Sequence, residues 1–185
     1  NTNGHYSLHN HAVASPLRRQ DIQIQLCGDG ASANLCGAAM APQRGNLDQQ
    51  VTMEHLSANT TSQQTFHNIV ADRGKSTFNG RIHIHAGARN SNANLSNKNI
   101  GLGANATINT KPELEIYNDD VSCSHGATIG QLDNDQLFYL CSRGVDPNAA
   151  RQLLCEGFLQ QCVGGPLADS ATAGLLEPLQ GLSIQ

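Results

Sequence analysis

Short runs of alternating apolar and polar residues recur along the first 130 positions, and nothing helical separates them. They are DIQIQL at 21–26, QVTMEHL at 50–56, RIHIHA at 81–86 and ELEIY at 113–117. Successive side chains on a strand point to opposite faces. Ile82 and Ile84 therefore oppose His83 and His85, while Leu114 and Ile116 oppose Glu113, Glu115 and Tyr117. Between the runs lie CGDGASAN, GARNSNAN and GLGANATINT, which read as turn clusters. Gly and Asn, at 18 residues each, tolerate the positive φ that tight corners need. With no helix between strands, a βαβ arrangement is excluded. Asn79-Gly80 and Asp29-Gly30 are the only hairpin-type pairs that join clean strands. A β-sandwich fits this texture, and so does a parallel β-helix whose turns stack as a solenoid. At roughly 20 residues per turn, a solenoid over 18–130 would have about five or six turns.

The texture changes at residue 131. NDQLFYLCSRG after Asp133 is a short helical run ending at Gly144, a C′ residue. A second helix follows, with Asp146 as N-cap, Pro147 at N1 and Gly164 as its end. Ala150, Leu153, Leu154, Gly157, Phe158 and Cys162 line one side of it at helical spacing. Four segments result. Residues 1–17 have no strand or helix pattern and read as a loose end or a truncated solenoid turn. Residues 18–130 are the β body, 131–164 a helical appendage, and 165–185 a Gly- and Pro-broken tail read as poorly ordered.

Composition narrows the function classes. A net charge of −4 and a pI near 6.0 argue against nucleic acid as the main partner. No apolar run reaches the roughly 18 residues that span a bilayer. Aromatics are 4% of the chain and Trp is absent, so a core of large rings is not expected. The start carries neither Met nor a signal peptide and reads as processed or fragmentary. Six cysteines and glycosylation-type triplets at Asn59, Asn94 and Asn105 open a secreted, disulfide-bonded reading. A domain of this size does not need such staples, so reduced thiols in a cytosol-like compartment are the expectation.

Few motifs carry chemistry. RGKST at 73–77 lacks the first glycine of a phosphate-binding loop and runs into a strand. GLGANA at 101–106 has no helix after it. LFYLCSRGVDPNAARQLL resembles a helix-turn-helix but lacks a basic face, so a protein-binding helical hairpin fits better. His83 and His85 share a face and could ligate a metal, although such pairs are mostly polar surface. Glu113 and Glu115 face together as a hydrolase pair would. In VSCSHGATIG, Cys123 and His125 also share a face, and a thiolate beside an imidazole suits zinc, copper or iron. Two ligands are half a site.

The stretch TKPELEIYNDDVSCSHGATIGQLDNDQLFYLCSRGV at 110–145 resembles the D-type subunits of the SufB/SufD family, the scaffold of iron–sulfur cluster assembly. The likeness extends upstream through TTSQQTFHNIVADRGKSTFNGRIHIHAGA to RRQDIQIQLCGDGASANLCG, about 18–160 in all. It covers the C-terminal half of a typical member. The B-type run of Glu-His-Glu-Ala kind is replaced here by CSHGAT. The resemblance implies a mainly β protein, a right-handed parallel β-helix core with a small C-terminal α-helical appendage. It implies a cytoplasmic scaffold, or a stromal one in a plastid, without catalysis of its own. A SufB-type subunit, or a second copy, would pair with the β-helix, and a SufC-type ATPase would bind the helices. His125 would be the interface histidine, with Cys123 beside it. Both would hold a transient iron–sulfur cluster completed by ligands of the other chain. For the ATPase, the expected docking face is Leu153, Leu154 and Phe158. Two other readings stand beside this one: a secreted β-helix enzyme acting on polysaccharide through Glu113 and Glu115, and a self-associating solenoid without further function.

Overall fold

The computed structural model describes residues 1–164 and 168–179. Among the described residues, nine strands alternate between two sheets. β1 (His5–Val13), β3 (Ser32–Ala41), β5 (Thr61–Ala71), β7 (Ser91–Leu102) and β9 (Val121–Gly130) form one sheet in that order. β2 (Arg18–Leu26), β4 (Asn46–His55), β6 (Lys75–Ile84) and β8 (Thr107–Ile116) form the other. Every pairing is parallel, and each strand lies beside its equivalent one turn later. The result is a parallel-strand β-solenoid of about four turns.

Each turn is longer than the sequence reading allowed. Arg19 meets Asp48 across 29 residues and Gln63 meets Asn94 across 31. A turn holds two strands of about ten residues plus two corners, which is why there are four turns and not five or six. The N-terminal segment is also more regular than expected. Residues 5–13 form β1, whose register with β3 runs unbroken from His5↔Ser32 to Val13↔Met40.

Corners are made by residues in the left-handed region: Asn3, Gln43, Asn59, Asp72 and Asn90 all have φ between 50° and 59°. Asparagine does this at little cost and then uses its amide. Asn90 Nδ2 donates to Asn59 Oδ1 at 2.7 Å, and Asn59 Nδ2 donates to Asp29 Oδ1 at 2.8 Å. The glycosylation-type triplet at Asn59 is therefore a rung of a side-chain ladder. Asn94 is another, accepting from Gln63 and donating to Ser124.

Between the sheets, Leu35, Val51, Met53, Phe66, Phe78, Ile82, Ile84 and Leu95 are buried together. Aromatic residues are scarce, yet two sit at the centre of this layer. The Phe66 and Phe78 rings, one from each sheet, have centroids 5.0 Å apart at 48°. Gly37 lies directly beside Phe66 in the register, and a Cβ there would collide with the ring.

Among the described residues there are three helices, α1 (Asn134–Ser142), α2 (Pro147–Gln160) and α3 (Ala168–Leu176), followed by a 3₁₀ turn at Glu177–Leu179. α2 and α3 cover the outer face of the five-stranded sheet, and α1 packs on α2. Asp133 and Asp146 cap α1 and α2 through hydrogen bonds from the first-turn backbone. Gly144, at φ 87°, ends α1 with bonds from Gly144 N to Cys141 O and from Val145 N to Leu140 O, a Schellman motif. α2 stops at Gln160, four residues before the expected Gly164. The segment 165–185, read as poorly ordered, contains α3, whose Leu175 and Leu176 are buried with Cys155, Leu159, Cys162 and Leu179 against Met40, Ile69 and Leu102. Residues 165–167 and 180–185 of that segment lie outside the described residues.

Candidate functional site

The solenoid ends on β8 and β9, which are paired on one side only. Their inward-facing positions continue the core columns of earlier turns. Leu114 follows Ile82, Ile116 follows Ile84, Cys123 follows Ala93, and His125 follows Leu95. No further turn covers them among the described residues, so Ile116 is 44% exposed and Ile129 57%. Such an edge offers unpaired backbone N–H and C=O groups above an apolar surface, the arrangement that accepts strands from another chain.

Cys123 and His125 share this inward face, as their spacing required. Cys123 is half-buried and packs against the core; His125 is exposed. Burial pushes the Cys123 thiol up, partly offset by a hydrogen bond with the Ala93 backbone, so the thiolate is disfavoured before a metal arrives. Among the described residues, no third His, Cys, Asp or Glu gathers with this pair. The other cysteines are free as well. Cys155 and Cys162 lie under the helices, where burial pushes both thiols up to about 12. They are packing residues.

On α2, the buried residues are Ala150, Cys155 and Leu159. The expected docking face divides accordingly. Leu153 is 51% exposed, whereas Leu154 and Phe158 are half-buried. Phe158 stacks on His67, with ring centroids 4.5 Å apart and planes 15° apart, and its carbonyl lies 2.7 Å from His67 Nδ1. All three line a cleft of about 420 Å³ with Ile100, Leu132, Asp133 and Gln136. Phe138 and Tyr139 on α1, which the sequence did not single out, are 75% and 57% exposed.

Other candidates have structural roles. Glu113 pairs with Lys111, and Glu115 with Arg81, on the outer face of the four-stranded sheet. The histidines of the first segment stand on β1, and the ring of His9 lies against Gly164 after α2. His83 and His85 remain together on the outer sheet face, where β4 brings Glu54 beside them. Glu54 comes from the preceding turn, so no local spacing revealed it.

The chain is thus a parallel β-solenoid with a helical appendage on one face. The model of the SUF system FeS cluster assembly SufBD core domain matches residues 1–158. The chain belongs to this SufB/SufD family of iron–sulfur cluster assembly proteins. It is 35% identical over 150 residues to the iron–sulfur cluster assembly protein SufD of Escherichia coli K12, covering 81% of this chain and 36% of that protein. It is 33% identical over 156 residues to the chloroplastic protein ABCI7 of Arabidopsis thaliana, covering 83% and 32%. With SufB of Bacillus subtilis it shares 31% over 148 residues, covering 80% and 32%. The chain spans about a third of the length of these relatives. No helix among the described residues is long and apolar enough to cross a membrane.

Proposed function

We propose that this chain carries the assembly segment of a D-type scaffold subunit. The open turn at β8 and β9 pairs with a SufB-type subunit, and Cys123 and His125 supply this chain's share of the ligands for a nascent iron–sulfur cluster. The observation that carries the reading is their position: both stand on the inward face of the last strand, whose Ile129 is exposed, as is Ile116 at the end of β8. A two-ligand half-site at an unpaired edge is completed when a second chain adds its own. The cluster is cargo held transiently, and the chain contributes no catalytic step. A cytoplasmic or plastid setting, with reduced thiols, follows from the same reading.

The test is cluster reconstitution on the complex co-purified with its B-type and ATPase partners. His125→Ala should remove most of the bound iron and sulfide while leaving subunit association intact, and Cys123→Ser should lower it. Normal cluster content in the His125 variant would end the assignment. A complex containing two copies of this chain and no B-type subunit would replace heterodimer by homodimer.

The helical appendage docks the SufC-type ATPase in the same reading, through the rim formed by Leu153, Leu154 and Phe158. An amphipathic helix presented to a partner's groove is a common recognition mode. Leu153 is the cleanest probe because it is the most exposed of the three. Leu153→Asp should abolish capture of the ATPase in a pull-down with circular dichroism unchanged. Undiminished capture would remove α2 from the interface.

A further inference from the structure

We propose that Glu54, His83 and His85 form a binding site for one divalent first-row transition-metal ion on the outer face of the four-stranded sheet. Two neighbouring turns supply the donors. The register sets Glu54 of β4 directly beside His83 of β6, and His85, two residues on, shares that face. One ligand atom from each residue lies within 4.8 Å of the other two. The two imidazoles stack with centroids 3.9 Å apart and planes 17° apart, so their nitrogens stand side by side.

The gap between donors is informative. His85 Nε2 is buried without a hydrogen-bond partner, and it stands 3.7 Å from Glu54 Oε2. That is too long for a hydrogen bond. Metal–ligand bonds of about 2.1 Å would set two donors on one ion roughly 3.0–3.6 Å apart. For this pair a movement of a few tenths of an ångström closes the difference, and the other two separations, each within 4.8 Å, close by side-chain rotation.

The surroundings orient the ligands. Gln25 Nε2 donates to Glu54 Oε2 at 3.1 Å, and Tyr117 lies beside His83 with ring centroids 5.3 Å apart. Glu115 Oε2 is 4.0 Å from His83 Nδ1 and also takes up the Arg81 guanidinium, so the nearest positive charge is balanced. Supporting hydrogen bonds of this kind fix ligand geometry in metal sites. The side chains of Glu54, His83 and His85 are 19%, 18% and 36% exposed, which leaves an approach from solvent. Two imidazoles and one carboxylate suit Fe²⁺ or Zn²⁺ and leave positions open for water or a further ligand. The site is separate from Cys123 and His125, which belong to the other sheet, and it does not depend on their role.

The experiment titrates the metal-depleted chain with Co²⁺ under reducing, anaerobic conditions, followed by optical spectroscopy, and with Zn²⁺ by calorimetry. One equivalent should bind, with cobalt ligand-field bands and without thiolate charge-transfer absorption. His83→Ala, His85→Ala and Glu54→Gln should each lose the bands, with thermal melts of the metal-free proteins unchanged. The Cys123→Ser, His125→Ala double variant should keep them. Absence of bands in the unmodified chain, a thiolate-dominated spectrum, or bands that survive His83→Ala combined with His85→Ala would overturn the site.

Discussion

Phe66→Ala is expected to lower the stability of the solenoid by about 3–5 kcal/mol. The ring is fully buried, meets Phe78 from the opposite sheet and fills the space that Gly37 leaves beside it. Truncation to Ala opens a cavity that Gly37 cannot fill, because it has no side chain to move. The strands on either side are held in register by their ladders and cannot close in. A small domain has about 5–15 kcal/mol in total, so this loss is a large share of it. Urea unfolding should show a much lower midpoint, or the variant should accumulate as insoluble protein. A loss below 1 kcal/mol would mean that the layer repacks freely and that the Phe66–Phe78 contact is not central.

Acid should destabilise the chain well above the range in which carboxylates titrate. His55 is fully buried, with Nδ1 and Nε2 each 2.8 Å from a hydroxyl, those of Thr60 and Ser62. Burial pushes its imidazole down from 6.5 to about 4. Between these values the unfolded chain holds a proton that the folded chain refuses, so folding weakens as pH falls. The contribution is complete above pH 6.5 and is lost progressively as pH drops toward about 4. At 1.36 kcal/mol per pKa unit the loss is about 3 kcal/mol. His67, lowered mainly by burial and opposed by its bond to Phe158, acts in the same direction. Denaturation midpoints should be nearly level from pH 7.5 to about 6.5 and fall from there to 4.5, and His55→Gln should flatten that slope while lowering the plateau. An unchanged slope in that variant would place the acid sensitivity elsewhere.

The four alternating runs found in the sequence are β2, β4, β6 and β8, the sheet whose outer face meets water. Its partner sheet was hidden for a physical reason. GAAMA at the end of β3 and HNIVA at the end of β5 are buried on both faces, one against the core and the other under the helices. Double burial erases alternation. Buried polar residues such as Gln64 and Asn97 erase it further. Corner clusters were misread in the same way. ASAN at 31–34 and SNAN at 91–94 enter strands β3 and β7, and Asn94 there carries a side-chain ladder from Gln63 to Ser124. At the site, a spacing of two sufficed to put Cys123 and His125 on one face. It could not show that the face was the uncovered end of a column, since that depends on where stacking stops.

The near-constant offset of about thirty residues between paired strands has a kinetic consequence. Every rung closes a loop of similar length, so each closure carries a similar entropic cost, rising only slowly with length. The first two turns to meet pay that cost with little burial in return, whereas each later turn docks on a finished template. Refolding should therefore be limited by a rare opening event and then run quickly outward in both directions, like crystal growth on a seed. The central pair β5 and β6, where the two phenylalanines meet across the layer, is the natural nucleus. The turn that ends in β9 would then be among the last to settle, and the surface it presents would exist only once the stack beneath it is complete.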